Sequence, residues 1–305
     1  MKHFIDIERL QIDQLNELIE LTHLFYETAQ DKSARFASLK GKTVLNLFFE
    51  NSTRTRISFE LAEKRLGADV INFSQSGSSV SKGETLIDTV NNLEAMNLDY
   101  IVVRHESAGV AQLLTKHSQA KIINAGDGQH EHPTQGLLDA ASLMYHFKSL
   151  KNKHIAIIGD ILHSRVARSN IYALTKLGAK VTVCGPATLV PQGLKSLGCE
   201  VSHHLDSLLP DVDALNILRI QLELQDGALI PSLKEYHKYF GITDERLKRA
   251  KDDMVILHPG PLNRGVEITS VIADSKNSLI LDQVKMGVAA RMAVLFKLNG
   301  GSTEQ

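Results

Sequence analysis

Hydroxyl and guanidinium side chains are concentrated in one five-residue stretch of this chain: Ser52, Thr53, Arg54, Thr55 and Arg56. The stretch follows an apolar run that is typical of a buried strand, and it precedes a helical pattern. Open backbone N–H groups at a helix start, joined by hydroxyl and guanidinium groups, form a binding site for anions such as phosphate. The alternative is an ordinary helix cap, which explains one hydroxyl but not three hydroxyls and two arginines. The composition of the stretch therefore favours phosphate binding.

Two further polar groups follow predicted strands in the first half of the chain. Arg104 and His105 come directly after an apolar run, and an arginine at that place can bind phosphate or carboxylate through two hydrogen bonds. His132 and Gln135 flank the start of a predicted helix, where an imidazole and an amide can bind a substrate carbonyl. Each has an ordinary alternative: a solvated arginine at a strand end, or a surface histidine in a chain with 13 histidines. His130 is a nearby alternative to His132.

Three polar segments follow strand-like runs in the second half of the chain: 159–168, 218–221 and 258–262. Arg165 and Arg219 place two fixed positive charges in these segments, a pair that suits a dicarboxylate. Segment 159–168 also fits an ordinary turn; a dinucleotide site ranks lower because the GxGxxG pattern is missing. Segment 74–83 is rich in serine and glycine and, taken alone, is a polar surface loop.

Alternating strand and helix patterns must position these side chains. Helices are predicted at 13–29, 56–66, 84–96, 133–147, 164–177 and 283–298, and strands at 43–49, 70–73, 100–103, 121–124, 155–158, 181–184, 214–218 and 254–257. This order predicts an α/β fold with two domains, each a parallel sheet flanked by helices. Because open parallel sheets bind ligands beyond the carboxyl ends of their strands, the polar segments lie at the predicted binding edges.

The length of 305 residues predicts two domains of about 150 residues each. The predicted boundary lies at 148–153. The first domain then covers residues 1–150 together with a C-terminal helical segment, 283–305, that packs back on it, and the second domain covers residues 151–282.

Composition narrows the classes of partner. The chain has 34 Lys and Arg against 35 Asp and Glu, a formal net charge of -1, so we expect no long-range attraction to nucleic acid or to an anionic membrane. Its two cysteines, Cys184 and Cys199, form no CxxC pair, which indicates a reducing compartment. The N-terminal residues lack the apolar run of a secretory signal, and no segment has membrane-spanning length. These features predict a cytoplasmic location.

The motifs together resemble the aspartate/ornithine carbamoyltransferase family along nearly the whole chain. In order they are FFENSTRTRISFE from Phe48, SKGET from Ser81, VVRH from Val102, HPTQ from His132, GDILHSRVARS from Gly159, LRIQ from Leu218 and HPGPLNRGVEI from His258. STRTR with HPTQ marks the superfamily, whereas SKGET and HPGPLNRG point to its aspartate branch. The ornithine branch is expected to carry a His-Cys-Leu-Pro segment, and neither cysteine lies in one.

The resemblance implies an ordered transfer in which carbamoyl phosphate binds first and L-aspartate second. The aspartate amine attacks the carbamoyl carbon, and N-carbamoyl-L-aspartate and phosphate are formed, a step of de novo pyrimidine (UMP) biosynthesis. No metal, organic cofactor or covalent enzyme intermediate is expected. The implied substrates are therefore small molecules, and the site should neutralise phosphate and carboxylate charge.

The resemblance also implies a role for individual residues. The phosphate is held by Ser52, Thr53, Arg54, Thr55 and Arg104, and the carbamoyl group by His132, Gln135 and backbone groups of Gly260, Pro261 and Leu262. The aspartate is held by Lys82, Arg165, Arg219 and Gln221. The catalytic residues implied are His132, Arg54, Lys82 and Arg104. Ser78 and Lys82 lie in a loop that reaches the neighbouring subunit's site, which implies a homotrimer with shared active sites; regulatory chains, a partner enzyme and control by nucleotides are left open.

One departure and two alternatives accompany the resemblance. The family usually has an arginine, which helps to bind Glu50, at the position where this chain has Leu224. Either Arg165 holds Glu50 alone, or closure of the domains uses different contacts, so the resemblance leaves the role of Glu50 open. A cationic acceptor such as ornithine, or another amine, is disfavoured because it would face Arg165 and Arg219 rather than acidic groups. A non-catalytic anion-binding partner protein could keep the anion sites but would not need Lys82 and His132.

Overall fold

The computed structural model describes residues 1–29, 35–74, 83–220 and 229–302. The chain divides into two compact units: unit 1 is Met1–Ala141 with Lys285–Gln305, and unit 2 is Ser142–Val284. Each unit contains one parallel sheet, which confirms the predicted α/β class. The domain limits derived from the sequence stay a prediction.

Unit 1 alternates strands with helices. Its elements are α1 (Ile12–Thr28), β1 (Thr43–Phe48), α2 (Thr53–Arg65), β2 (Asp69–Ser74), α3 (Leu86–Glu94), β3 (Tyr100–His105), α4 (Val110–His117), β4 (Lys121–Asp127) and the first part of α5 (Pro133–Phe147). The parallel strands lie in the order β2-β1-β3-β4. The chain passes from β1 to β2 on one side and then to β3 on the other side of β1. The crevice beyond β1 and β3 is therefore a topological switch point, where open α/β sheets bind ligands.

Burial explains the continuous apolar runs of these strands. Val44, Leu45 and Leu47 of β1 and residues 100–103 of β3 are each at most 1% exposed. Helices cover both faces of such a parallel sheet, so its strands lack the alternation of a half-exposed sheet. β2 lies at one edge of the sheet, and its Ile71 is exposed.

Unit 2 continues the pattern with a five-stranded sheet. Its elements are β5 (His154–Ile158), α6 (Arg165–Lys176), β6 (Lys180–Cys184), a 3-10 helix (Gln192–Leu197), β7 (Glu200–Ser202), α7 (Leu205–Leu208), β8 (Ala214–Ile217), α8 (Leu233–Phe240), α9 (Asp244–Leu247), β9 (Val255–Leu257), α10 (Ser270–Ala273) and the start of α11 (Ile280–Leu298). The strand order is β7-β6-β5-β8-β9. A second switch point therefore lies beyond the ends of β5 and β8.

The C-terminal helix packs on the N-terminal helix, as the sequence predicts. Phe296 of α11 meets Phe25 of α1 edge-on, with ring centroids 5.5 Å apart. The Lys297 ammonium pairs with the Glu17 carboxylate of α1. The helix begins at Ile280, three residues before the predicted start.

One sequence expectation was wrong in detail, and one helix was missed. Helix α2 begins at Thr53 rather than Arg56, because the Arg56 N–H donates to the Ser52 carbonyl at 3.1 Å and closes a first turn. The hydroxyl-rich stretch thus forms the first helical turn instead of a loop before it. Helix α4 was not predicted at all: it has eight residues, of which three are buried, too few for a helical period to be recognised.

Candidate active site

The start of α2 is a positively charged turn at the switch point of unit 1. Ser52 is the N-cap residue, yet its side chain makes no capping hydrogen bond with the described helix. An ordinary cap uses that hydroxyl to bind an N–H group of the first turn. The sequence of the first turn holds no acidic residue, Thr53 and Arg54 are exposed, and Thr55 is buried. The turn is therefore suited to bind an anion through the helix dipole, the hydroxyls and the Arg54 charge.

Arg104 lies at the end of β3, beside the end of β1. Its position pairs with Phe48 in the sheet register, so it shares an edge with the α2 turn. Its Nη1 donates to the Ala125 carbonyl at 3.1 Å, and its Nε lies 3.0 Å from Glu50 Oε2. With a side chain 14% exposed, Arg104 is held in place on two sides. In unit 1, Glu50 thus has Arg104 as an ion-pair partner.

His132 and Gln135 lie at the start of α5. The His132 carbonyl accepts hydrogen bonds from the N–H groups of Gln135 and Gly136, at 2.9 and 3.1 Å. Pro133, which has no N–H group, suits the first helical position. Both side chains are buried, at 5% and 8% exposure, and Gln135 Nε2 donates to Asp139 Oδ1 at 2.9 Å. This contact restrains the Gln135 amide.

His130 is engaged elsewhere. Its Nδ1 lies 3.1 Å from both carboxylate oxygens of Asp127. The Asp127 hydrogen bond and charge raise the pKa of His130 against the opposing effect of burial. The residue therefore anchors the turn before α5, which favours His132 as the candidate for the carbonyl contact.

In unit 2, the turn after β5 carries Arg165. Gly159 adopts a φ of 131°, and a Cβ atom there would come 3.0 Å from the Leu218 carbonyl oxygen. Glycine therefore allows the ends of β5 and β8 to approach closely. The buried Asp160 carboxylate binds His163 Nδ1 at 2.9 Å, and Ser164 caps α6 by accepting from the Ala167 N–H at 3.1 Å. These contacts set the turn from which Arg165 begins α6.

Arg219 follows β8 on the neighbouring strand. The Leu218 N–H donates to the Ile158 carbonyl at 2.8 Å, so the chain beside Arg219 remains joined to β5. Arg165 and Arg219 are both half-buried. The switch point of unit 2 therefore brings together the segments that carry the two predicted carboxylate-binding arginines.

The loop after β9 contains Gly260, Pro261 and Leu262. Gly260 has a φ of 65°, and its peptide bond to Pro261 is cis. Leu262 is half-buried and packs against the hydrophobic core of unit 2. The loop is thus a defined part of the carboxyl edge of the unit 2 sheet.

Several predicted site residues lie outside the described residues: Ser78, Lys82, Gln221 and the departure at Leu224. Their predicted roles stay predictions. Among the described residues, no group of three or more His, Cys, Asp or Glu side chains could hold a metal ion. No helix in the described ranges is both long and apolar enough to cross a lipid bilayer.

Sequence reasoning missed a buried arginine that contacts α2. Arg291 of α11 is 3% exposed, and its Nη1 donates to Ser58 Oγ of α2 at 3.1 Å. Burial, and then the Arg104 charge, lower the pKa of Arg291 to about 9, while Asp139 opposes that shift. A Cβ atom on Gly287 would come 2.8 Å from Arg291 Nη1. Gly287 and Arg291 lie four residues apart in the sequence, a spacing at which a glycine leaves room for the arginine on one helix face. No local rule indicates which other helix such an arginine contacts.

Comparisons with known proteins cover nearly the whole chain. Residues 2–145 match the model of the "Aspartate/ornithine carbamoyltransferase, carbamoyl-P binding domain", and residues 151–298 match that of the "Asp/Orn binding domain". The aspartate carbamoyltransferase catalytic subunit of Gemmatimonas aurantiaca is 52% identical over 303 residues, covering 99% of this chain and 95% of that protein. The subunit of the same name from Cytophaga hutchinsonii is 52% identical over 300 residues, covering 98% of each.

Solved structures of an aspartate transcarbamoylase from Trypanosoma cruzi have the same fold. The complex with N-(phosphonacetyl)-L-aspartic acid has a TM-score of 0.87 at 30% identity, covering 97% of this chain and 95% of that one. The complex with carbamoyl phosphate and aspartate has a TM-score of 0.86 at 29% identity, covering 97% and 96%.

The two parallel sheets, each with a cationic helix start at its switch point, define a two-unit α/β protein whose switch points are suited to bind small anions. The family models and the relatives cover both units. The chain belongs to the aspartate/ornithine carbamoyltransferase family.

Proposed function

We propose that this chain transfers the carbamoyl group of carbamoyl phosphate to the amino group of L-aspartate, forming N-carbamoyl-L-aspartate and phosphate in de novo pyrimidine biosynthesis. The observation that carries the proposal is the α2 turn at the unit 1 switch point, whose cap hydroxyl makes no capping bond with the described helix and whose first turn has no acidic residue in sequence. Relatives named aspartate carbamoyltransferase catalytic subunit, about half identical over nearly the full length, support it.

The donor is assigned to unit 1. Ser52, Thr53, Arg54, Thr55 and Arg104 bind its phosphate, and His132 and Gln135 bind its carbamoyl group. His132 donates a hydrogen bond to the carbamoyl oxygen, where negative charge develops as the amine attacks. Arg54 and Arg104 stabilise the charge that grows on the departing phosphate.

The acceptor is assigned to Arg165, Arg219 and Gln221, with Lys82, while backbone groups of Gly260, Pro261 and Leu262 contact the carbamoyl group. The aspartate nitrogen lone pair forms the new C–N bond, and a tetrahedral intermediate collapses as the carbon–oxygen bond to phosphate breaks. The proton given up by the amine is balanced by the proton carried on the released phosphate. Holding amine and carbon in contact supplies roughly 7–11 kcal/mol of the barrier.

The proposal includes a homotrimer in which the Ser78 and Lys82 loop serves a neighbouring subunit. Its support is the exposed apolar surface around the edge strand that leads into this loop: Ile71 is 44% exposed on β2, and Ile57 and Leu61 are 55% and 38% exposed on α2. Asn72 of β2 donates to Glu60 of α2 at 3.2 Å, so the two elements form one surface. We take these exposed apolar side chains as support for a subunit interface on this surface.

A hybrid assay tests the shared site. Arg54→Ala and Lys82→Ala subunits, each inactive alone, are dissociated, mixed and reassembled. Recovery of part of the wild-type rate is expected, because some interfaces then combine an intact Arg54 with an intact Lys82. A rate no higher than that of the separate variants, in trimers confirmed by mass, refutes the crossing loop.

A direct assay tests the reaction. The purified chain is given carbamoyl phosphate with L-aspartate or with L-ornithine, and both phosphate and the carbamoylated amino acid are measured. Turnover with aspartate at least about 100 times that with ornithine is expected, because Arg165 and Arg219 attract a dicarboxylate and repel a cation. Faster turnover with ornithine overturns the acceptor assignment. Binding of carbamoyl phosphate without phosphate release favours a non-catalytic anion-binding protein.

A cytoplasmic location is also part of the proposal. Both cysteines are buried and unbridged, as is usual for proteins kept in a reducing compartment.

A further inference from the structure

A buried carboxylate lies beneath the loop after β9. The side chains of Glu267 and His258 are both 0% exposed, and His258 Nε2 lies 3.2 Å from Glu267 Oε1. The same oxygen accepts the Asn263 N–H at 2.6 Å. One carboxylate oxygen thus contacts residues on both sides of the Gly260–Leu262 loop.

The hydrogen bonds determine the protonation of His258. The Gly260 N–H donates to His258 Nδ1 at 2.8 Å, so Nδ1 must carry a lone pair. The ring proton is then on Nε2, which donates it to Glu267 Oε1. His258 is therefore a neutral imidazole that links the Gly260 N–H to the buried carboxylate.

The clamp formed by His258 and Glu267 restrains the loop at both ends. Gly260 is bound through the imidazole, and Asn263 is bound directly, so Pro261 and Leu262 lie between two anchored backbone amides. The His258 N–H itself donates to Gln283 Oε1 at 2.9 Å. Asn263 Nδ2 reaches the Ile220 carbonyl at 3.4 Å, which joins the loop to the segment that follows Arg219. Both hydrogen bonds to the carboxyl group fall on Glu267 Oε1, whereas Glu267 Oε2 is buried with no hydrogen-bond partner among the described residues.

We propose that His258 and Glu267 are positioning residues, which set the backbone of Gly260, Pro261 and Leu262 for contact with the substrate. The proposal rests on the proposed function for the identity of that substrate. Neither side chain touches substrate; both act through the loop. A backbone displaced by about 1 Å can lower the rate by about 100-fold, so loss of the clamp lowers kcat rather than stability alone.

Three variants separate the two halves of the clamp. His258→Asn keeps an acceptor near the Nδ1 position for the Gly260 N–H but cannot reach Glu267. His258→Gln keeps a donor near the Nε2 position but loses the bond to Gly260. Glu267→Leu keeps a side chain of similar size and removes the oxygen that accepts from both His258 and Asn263. The control is Arg264→Gln, in the same loop, whose exposed side chain pairs with Asp274.

Kinetics give the first result. All three clamp variants should lose roughly 10- to 100-fold in kcat, with the aspartate KM changed by less than about threefold, while the control stays near wild type. The His258→Asn, Glu267→Leu double variant should lose little more than Glu267→Leu alone, because both changes break the same bond between His258 and Glu267. Variants that melt near the wild-type temperature and keep kcat within about twofold overturn the proposal.

Hydrogen–deuterium exchange gives a second result that does not depend on activity. Segment 258–263 contains two prolines, so four amides report on it. Exchange at Gly260 should accelerate at least about tenfold in His258→Gln and stay slow in His258→Asn, because its hydrogen bond is lost only in the former. Unchanged exchange in His258→Gln refutes the clamp. Should the wild-type chain fail to carbamoylate aspartate while exchange behaves as expected, the proposed function is wrong and the clamp stands.

Discussion

Replacing Glu63 by glutamine should stabilise this protein at neutral and alkaline pH. Glu63 of α2 and Asn46 of β1 are both 0% exposed, and Asn46 Nδ2 donates to Glu63 Oε2 at 2.8 Å. The other two oxygens, Glu63 Oε1 and Asn46 Oδ1, have no hydrogen-bond partner among the described residues. Two acceptors are thus left without a donor when the carboxyl group is ionised, and a proton on Oε1 supplies one.

The size of the effect follows from the pKa. Burial raises the pKa of Glu63 from 4.5 to about 8, and the Asn46 hydrogen bond only partly offsets this. Below pH 4.5 the carboxyl group is protonated in both states. Between pH 4.5 and 8 the unfolded chain loses this proton while the folded chain keeps it, so the free energy of unfolding falls by about 1.4 kcal/mol per pH unit. The accumulated loss is about 3 kcal/mol at pH 7 and levels off above pH 8.

Glutamine removes this loss, because its amide needs no proton to act as a donor toward Asn46. Urea unfolding of the wild type and Glu63→Gln is measured from pH 5 to pH 9. The two free energies should be close at pH 5 and should differ by about 3 kcal/mol at pH 7 in favour of the variant. The difference should grow little above pH 8.

Glu60→Gln is the matched control on the same helix. Its carboxylate lies 2.6 Å from Lys64 Nζ, and the hydrogen bond from Lys64 lowers the pKa of Glu60. A surface ion pair of this kind contributes little to the free energy of unfolding. The Glu60→Gln control should therefore show no stabilisation that grows from pH 5 to pH 8. A Glu63→Gln variant that is less stable than the wild type at pH 8, or that shows the same pH dependence, would refute the reasoning.

Two further predictions concern the first turn of α2 and the close approach of β5 and β8. Arg54→Ala should lower kcat by roughly 100- to 1,000-fold with a much smaller change in KM, because phosphate charge grows in the transition state. Steady-state phosphate release measures both constants, and Arg56→Ala is the exposed control. Equal losses in kcat and in substrate binding would contradict the role of Arg54. Gly159→Ala should destabilise the protein by about 1–3 kcal/mol in urea, because its Cβ would meet the Leu218 carbonyl oxygen at 3.0 Å. Gly265→Ala is its control, with a φ of 82° and no atom within 4 Å, and a similar loss in both variants would show that φ rather than contact is responsible.

The sequence alone predicted the limits of several helices and buried strands. Helix α5 begins at Pro133 and ends at Phe147, as predicted, because proline suits a helix start and its apolar residues keep a helical period. Strand β5 and strand β6 were predicted within one residue of their observed limits. Such signals are local, since backbone propensity and side-chain periodicity act over a few residues.

The candidate site was visible in sequence only as separate segments. Ser52 to Thr55 and Arg104 were recognised one by one, but their common edge follows from β1 pairing with β3. Strand order results from long-range hydrogen bonds, which no local pattern encodes. The ion pair of Arg104 with Glu50 could not be predicted for the same reason.

Sequence by itself determined the α/β class, the family motifs and the types of charge offered to a substrate. The tertiary structure decided which buried partners restrain those charges: Asp139 for Gln135, Glu267 for His258 and Ser58 for Arg291. A buried polar group must find its hydrogen bonds among whatever side chains the packing brings near it. That choice depends on the positions of whole helices and strands, so it exists only once the chain has folded.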